Sequence, residues 1–182
     1  ALSDYHRLLR SFLHSRGVYS VIKVSVRNLG DKEVVARSMT VLSTLAENRS
    51  NHRYLDLTAV TAICVRVLQE YPTTLACLKP ALNVLDTISS KEAVLRLSDH
   101  CSVLHNVLHI NLGSGVLCEQ VVHICKSVAQ ESHVFRVQCI KSGMLQDLLE
   151  ALTHHSNHIQ LLFSACDVFI SLSKEPLLEN SA

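Results

Sequence analysis

Tryptophan is absent from this 182-residue chain, and all aromatic residues together make up 4% of it. Few rings are on hand to stack against unpaired bases, the usual way in which single-stranded nucleic acids are held. The longest apolar runs are broken by Arg, His or Asn within a few residues. No stretch of about 20 apolar residues exists to cross a bilayer as a helix, so no membrane association is expected. The opening Ala1-Leu-Ser-Asp-Tyr-His6 lacks a charged segment followed by a continuous apolar one, and secretion is not expected. The seven cysteines include no C-x-x-C pair, and their number is odd. Free thiols among apolar neighbours behave as small buried hydrophobes, and the expected compartment is reducing: intracellular, cytoplasmic and/or nuclear.

Glycine is also scarce, at five residues. Gly113-Ser-Gly115 is too short to cradle a phosphate and follows no strand, so it reads as a turn. Neither a nucleophile elbow nor a catalytic spacing occurs; an enzyme is not expected, and no catalytic residue or cofactor is assigned. Among eleven histidines, His105 and His109 share i, i+4 spacing with Cys101 one turn earlier, and His154 and His158 repeat that spacing. Such pairs can share a metal, but neither has a recognisable fourth ligand, so exposed or hydrogen-bonded imidazoles are expected. Asn48-Arg49-Ser50 matches a glycosylation acceptor only incidentally.

What the chain does have is a repeat. The octads Val41-Leu-Ser-Thr-Leu-Ala-Glu-Asn48, Val84-Leu-Asp-Thr-Ile-Ser-Ser-Lys91, Ile124-Cys-Lys-Ser-Val-Ala-Gln-Glu131 and Val168-Phe-Ile-Ser-Leu-Ser-Lys-Glu175 start 43, 40 and 44 positions apart. Each reads apolar, apolar, any, Ser/Thr, apolar, Ala/Ser, then two polar residues. A fixed period of this size signals stacked helical units sharing a core. Two further patterns agree. Helix-start signals fall at Asp31, Thr73, Ser114 and Ser156, each at a breaker or polar run, where a short side-chain oxygen can accept orphan amide hydrogens. The anchors Val18/Val21/Ile22, Val60/Ile63/Cys64, Leu104/Val107/Leu108 and Leu145/Leu148/Leu149 all show i, i+3, i+4 spacing, one face of an α-helix. Each unit therefore predicts a helix of about 11 residues, a turn, a longer helix carrying the octad, and a short helix. The short ones are expected near Arg49–Leu57, Glu92–Asp99 and Val134–Ser142. Pro80, inside the second long helix, is expected to kink or restart it.

With these motifs the chain resembles the armadillo repeat family, a relative of HEAT repeats. Gly17-Val-Tyr-Ser-Val-Ile22 and Gly143-Met-Leu-Gln-Asp-Leu-Leu149 are similar to that family's second helix. Val41–Asn48 is similar to its third, and Cys139-Ile-Lys-Ser-Gly143 to its sharp bend. The resemblance implies an all-α, right-handed α-solenoid of about four three-helix repeats, truncated at both ends. Residues 1–16 would end a preceding repeat, 17–57, 58–100 and 101–142 would be repeats, and 143–182 an incomplete last one, all within one domain.

In that family the third helix lines a concave surface on which partner peptides lie. The best-known peptide binders carry Asn at the octad's fourth position and Trp four residues earlier. Here those positions hold Thr44, Thr87, Ser127 and Ser171, and Thr40, Asn83, His123 and Asp167. Hydroxyls lack the two-pronged geometry of an amide, so recognition of basic nuclear-import peptides does not carry over. The implied strip for a peptide or helix of a protein partner is Arg37, Thr40, Thr44, Asn83, Thr87, His123, Lys126, Ser127 and Asp167. Two rivals stay open. Residues 1–55 hold nine Lys/Arg against four acids, a basic stretch that could follow a phosphate backbone, although the near-neutral total of +1 speaks against nucleic acid. Apolar solenoid ends could also mate two copies into a homo-oligomer.

Overall fold

The computed structural model describes residues 7, 11–88 and 91–175. Among them every regular element is helical, and there is no strand. Tyr5, Leu8 and Leu9 of the expected leading segment, Ser89 and Ser90 of the second octad, and residues 176–182 lie outside the described residues. Two compact units divide the chain, Ala1–Ile88 and Ser89–Ala182. The first holds α1 (Gly17–Arg27), α2 (Lys32–Glu47), a 3-10 segment (Arg49–Tyr54), α3 (Leu57–Glu70) and α4 (Leu75–Thr87). The second holds α5 (Lys91–Leu97), a 3-10 segment (Ser98–His100), α6 (Cys101–Ile110), α7 (Gly115–Glu131), α8 (His133–Ser142), α9 (Met144–His154) and α10 (Ile159–Leu172).

In the first unit α2 packs against α4, α1 against α2 and α3, and α3 against α4. Val35, Met39, Leu42 and Ala46 follow helical spacing down one side of α2, and all are buried. They meet a core to which α4 brings Cys77, Leu78, Ala81, Leu82 and Leu85, and α3 brings Val60, Ile63, Cys64, Val67 and Leu68. Each large aliphatic side chain so covered stabilises the fold by roughly 1.5–3 kcal/mol. In the second unit α7 plays the part of α2, packing against α5, α6, α8, α9 and α10.

One backbone turn recurs between each shorter helix and the longer helix that follows. The amide of its fourth residue donates to the carbonyl of its first. The pairs are Asp31 to Asn28 (2.9 Å), Thr74 to Tyr71 (3.2 Å), Ser114 to Asn111 (2.9 Å) and His158 to His155 (2.8 Å). The turns start 43, 40 and 44 residues apart, the same steps as the octads, and each octad begins 13 residues after its turn. The long helices thus start after Thr74 and His158, not at the expected Thr73 and Ser156. The turn is counted from the preceding C-caps, Tyr71 and His155, which fix its fourth residue whatever side chain stands there. Among these four turns, side-chain capping is confined to Asp31, whose carboxylate accepts from the amides of Glu33 and Val34 at 3.0 and 3.2 Å. Thr74, Ser114 and His158 make no such bond.

Within each unit the turns are tied by a side chain at the first turn position. Tyr71 Oη donates to the Leu29 carbonyl at 2.6 Å, and His155 Nε2 lies 2.8 Å from the Leu112 carbonyl. The bend expected at Gly143 is present, with φ of +87° at the junction of α8 and α9. Arg16 occupies the same place before α1, 12 residues ahead of its turn, at φ +62°, where a side chain is strained. Gly17 follows because the Phe12 ring lies where a Cβ would stand. α4 runs unbroken from Leu75 to Thr87 with Pro80 inside it, so the helix does not restart there.

Thr61 on α3 is buried with no hydrogen-bond partner for Oγ1. An unmet buried hydroxyl costs about 1–3 kcal/mol, and Val has nearly the same shape. Thr61→Val is expected to raise unfolding free energy by about 1 kcal/mol in urea titration; destabilisation would mean that the hydroxyl has a partner.

Candidate functional site

The hydroxyl at the fourth octad position has an internal use. Thr44 Oγ1 donates to the Thr40 carbonyl (3.0 Å), Thr87 Oγ1 to Asn83 (2.6 Å), Ser127 Oγ to His123 (3.2 Å) and Ser171 Oγ to Asp167 (2.8 Å). Each bonds back to the residue one turn earlier, which is how Ser and Thr settle inside helices. Their donors are therefore taken up within the helix; Thr44 is exposed, Thr87 and Ser127 are half-buried, and Ser171 is buried.

The nine strip residues fall into two groups. In the first unit, Arg37, Thr40 and Thr44 are exposed on α2, while Asn83 and Thr87 are half-buried on the neighbouring α4. Thr40 and Asn83 sit at the same distance from their turns, as do Thr44 and Thr87. Arg37 pairs with Glu33 one turn back, Nη2 to Oε1 at 2.8 Å, with the side chains 80% and 72% exposed. In the second unit, His123, Lys126 and Ser127 lie half-buried on α7, and Asp167 on α10. Lys126 Nζ and Asp167 Oδ2 meet at 2.8 Å and bridge those two helices.

A cleft of 270 Å³, missed by the reading of the sequence, adjoins Arg37. It is lined by Phe12, Gly17, Ser20, Val21, Val24, Arg37, Ser38 and Val41. Val24 and Val41 remain exposed at it. The first octad's opening Val41 is exposed, whereas the equivalent Val84, Ile124 and Val168 are buried. Aligning the octads does not reveal it, because all four open on Val or Ile. In the second unit, Ile159, Leu162, Phe163 and Ile170 leave an exposed apolar stripe along α10.

The histidine pairs are held by carboxylates. His105 Nε2 and His109 Nδ1 both reach Asp147 Oδ2, at 2.8 and 3.2 Å. Asp147 is buried on α9, a partner 38 residues from His109 that no local spacing discloses. His154 and His158 do not converge: the first faces Glu150 at 3.9 Å, the second Glu119 at 3.5 Å. No group of three His, Cys, Asp or Glu among the described residues is placed to hold a metal ion. None of the described helices is long and apolar enough to cross a membrane.

Glu175 closes the last octad and ties it to α8. Its Oε2 lies 2.7 Å from His133 Nδ1, and its Oε1 accepts from Arg136 Nε. Arg136 Nη1 also donates to the Ala129 carbonyl at 2.9 Å. The hydrogen bond from His133, then that from Arg136, hold the Glu175 carboxyl below its ordinary value of 4.5. A depressed carboxyl contributes stability that is present above the ordinary value and lost as pH falls through the depressed one. Wild type and Glu175→Gln should therefore differ in thermal midpoint at neutral pH and converge as pH is lowered from about 5 to 3. A gap that stays constant would contradict the arrangement. None of the family models, curated proteins or solved structures compared with the chain matches it.

Proposed function

We propose that the chain is a non-catalytic, intracellular protein-interaction module of the armadillo-like α-solenoid class, acting as a scaffold or adaptor. It takes a peptide or helix of a partner protein along the polar face of its longer helices. The observation that carries this reading is the 270 Å³ cleft between α1 and α2, apolar along Phe12, Val21, Val24 and Val41, with Arg37 in its lining. Such a cleft accepts one apolar side chain, and Arg37 favours a carboxylate beside it. The Arg37–Glu33 pair is so exposed that it contributes only about 0.3–0.5 kcal/mol. A partner carboxylate can replace Glu33 at little cost. The Lys126–Asp167 pair is less exposed, so the second unit offers a strip already neutralised by its own charges. Thr40, Thr44, Asn83 and Thr87 extend the first site, and His123 and Ser127 belong to the second.

Peptide selection against the whole chain tests this. Winning peptides should combine acidic and large apolar residues. Anisotropy should then show at least about tenfold weaker binding to Arg37→Glu, and to the double variant Thr44→Arg, Thr87→Arg, with helicity unchanged. Peptides that bind both variants as well as wild type would move the site elsewhere. Generic DNA or RNA binding that falls steeply with salt would favour the nucleic-acid rival. Self-association is favoured by the apolar stripe of α10. Its expected result is a concentration-dependent mass in light scattering that Phe163→Glu abolishes; a constant monomer mass removes it.

A further inference from the structure

Six of the seven cysteines are buried, and Cys166 alone is exposed. Two of the buried ones are neighbours. Cys101, the first residue of α6, and Cys139 on α8 place their sulfurs 3.6 Å apart. The Cys139 sulfur has a second sulfur beside it, Met144 Sδ at 3.4 Å. Cys101 also lines a surface cleft of 330 Å³ together with Asp99, Ser102, Gln138, Lys141 and Ser142. Liquid water occupies about 30 Å³ per molecule, so this cleft has ample room for a small peroxide. Cys139 is not among the cleft's lining residues. The pair thus has one member facing a cleft and one behind it.

We propose that Cys101 and Cys139 are an oxidisable thiol pair, Cys101 reacting with a small hydroperoxide through the cleft and Cys139 resolving it as an intramolecular disulfide. In the first step the Cys101 thiolate attacks the terminal peroxide oxygen. The S–O bond forms, the O–O bond breaks, and the alcohol or water leaves after taking a proton; sulfur is oxidised by two electrons and the peroxide reduced by two. In the second step Cys139 attacks the sulfenic sulfur of Cys101. The S–S bond forms, the S–O bond breaks, and hydroxide leaves as water with the Cys139 proton. The sulfurs must close from 3.6 Å to about 2.05 Å to form the bond.

The roles of the two sulfurs follow from their surroundings. The hydrogen bond shared with Cys139, against burial and with help from Ser142, lowers the Cys101 thiol below its ordinary value. The same bond and burial raise Cys139. Burial pushes the other deep thiols upward, Cys64 to about 12 and Cys118 to about 11. Peroxide attack follows thiolate character and access, and of the two sulfurs it is Cys101 that lines the cleft.

The test is a titration of the purified whole chain with hydrogen peroxide, followed by peptide mapping under non-reducing conditions. The expected product in wild type and in Cys166→Ser is a Cys101–Cys139 cross-linked peptide that dithiothreitol reverses. In Cys139→Ser, dimedone should trap a sulfenic acid at Cys101, and Cys101→Ser should give neither product. Mapping of unaltered wild type needs no variant to fold. Oxidation of Cys166 ahead of Cys101 would overturn the proposal, as would a bond from Cys101 to Cys125 or over-oxidation of Cys101 with Cys139 left reduced.

Discussion

Replacing Phe135 with alanine is expected to lower the unfolding free energy by about 3–5 kcal/mol. Phe135 heads the fully buried side chains by volume, at 0% exposure. It stands in the first turn of α8, which packs against α6, α7, α9 and α10. Its amide donates to the buried Ser132 Oγ at 3.2 Å, so the backbone is held at the position where the ring enters the core. The next residue, Arg136, is fastened to both Glu175 and the Ala129 carbonyl. A turn pinned on both sides of Phe135 cannot slide inward to fill the space that the ring leaves. The cavity should remain open and the loss should fall in the upper part of that range. Natural domains have about 5–15 kcal/mol in total, so the variant would approach the limit of folding at physiological temperature. Phe135→Leu, which keeps most of the volume, should lose less than half as much. Urea midpoints of the three proteins decide it, and a loss below about 1 kcal/mol for alanine would mean that the ring is not packed as described.

The repeat was legible because two physical signals are local. The octads encode a buried helical stripe with a back-bonding hydroxyl, and the turns encode a fixed four-residue hydrogen-bonded step. The helix starts were legible at Asp31 and Ser114 but misplaced at Thr73 and Ser156. A search for capping oxygens finds polar residues near a turn, but backbone counting from Tyr71 and His155 decides which one ends it. Only Asp31 both occupies the fourth position and reaches the next amides. Residues that act across the fold left no sequence signal. Asp147 joins His105 and His109, Glu175 joins His133 and Arg136, and Cys101 meets Cys139, all through separations of about one repeat. Each of these contacts joins two different helices or a helix and the segment after α10, so no spacing within one helix announces it. The strip on the long helices was read from positions alone. Its members on α7 and α10 are joined through Lys126 and Asp167, while the cleft beside Arg37 depended on where Phe12 and α1 come to rest.

Pro80→Ala is expected to stabilise the chain by about 2 kcal/mol. Proline in a helix interior is about 3 kcal/mol less favourable than alanine, because it removes an amide donor and crowds the preceding turn. Pro80 is the sixth residue of α4, past the first turn where that donor would go unused in any case. Alanine there would donate to the Ala76 carbonyl, four residues back. Against this stands the stiffness that proline lends the unfolded chain, which opposes the gain by about 0.4–1 kcal/mol. The helical term is the larger, so the sign is set even though the helix already runs through the ring without a break. Pro80 is also only half-buried, so exchanging the ring for a methyl group gives up less buried apolar area than a core position would. A urea midpoint raised at constant slope is the expected result. A lower midpoint would show that the pyrrolidine packs against the core more strongly than its missing hydrogen bond weakens α4.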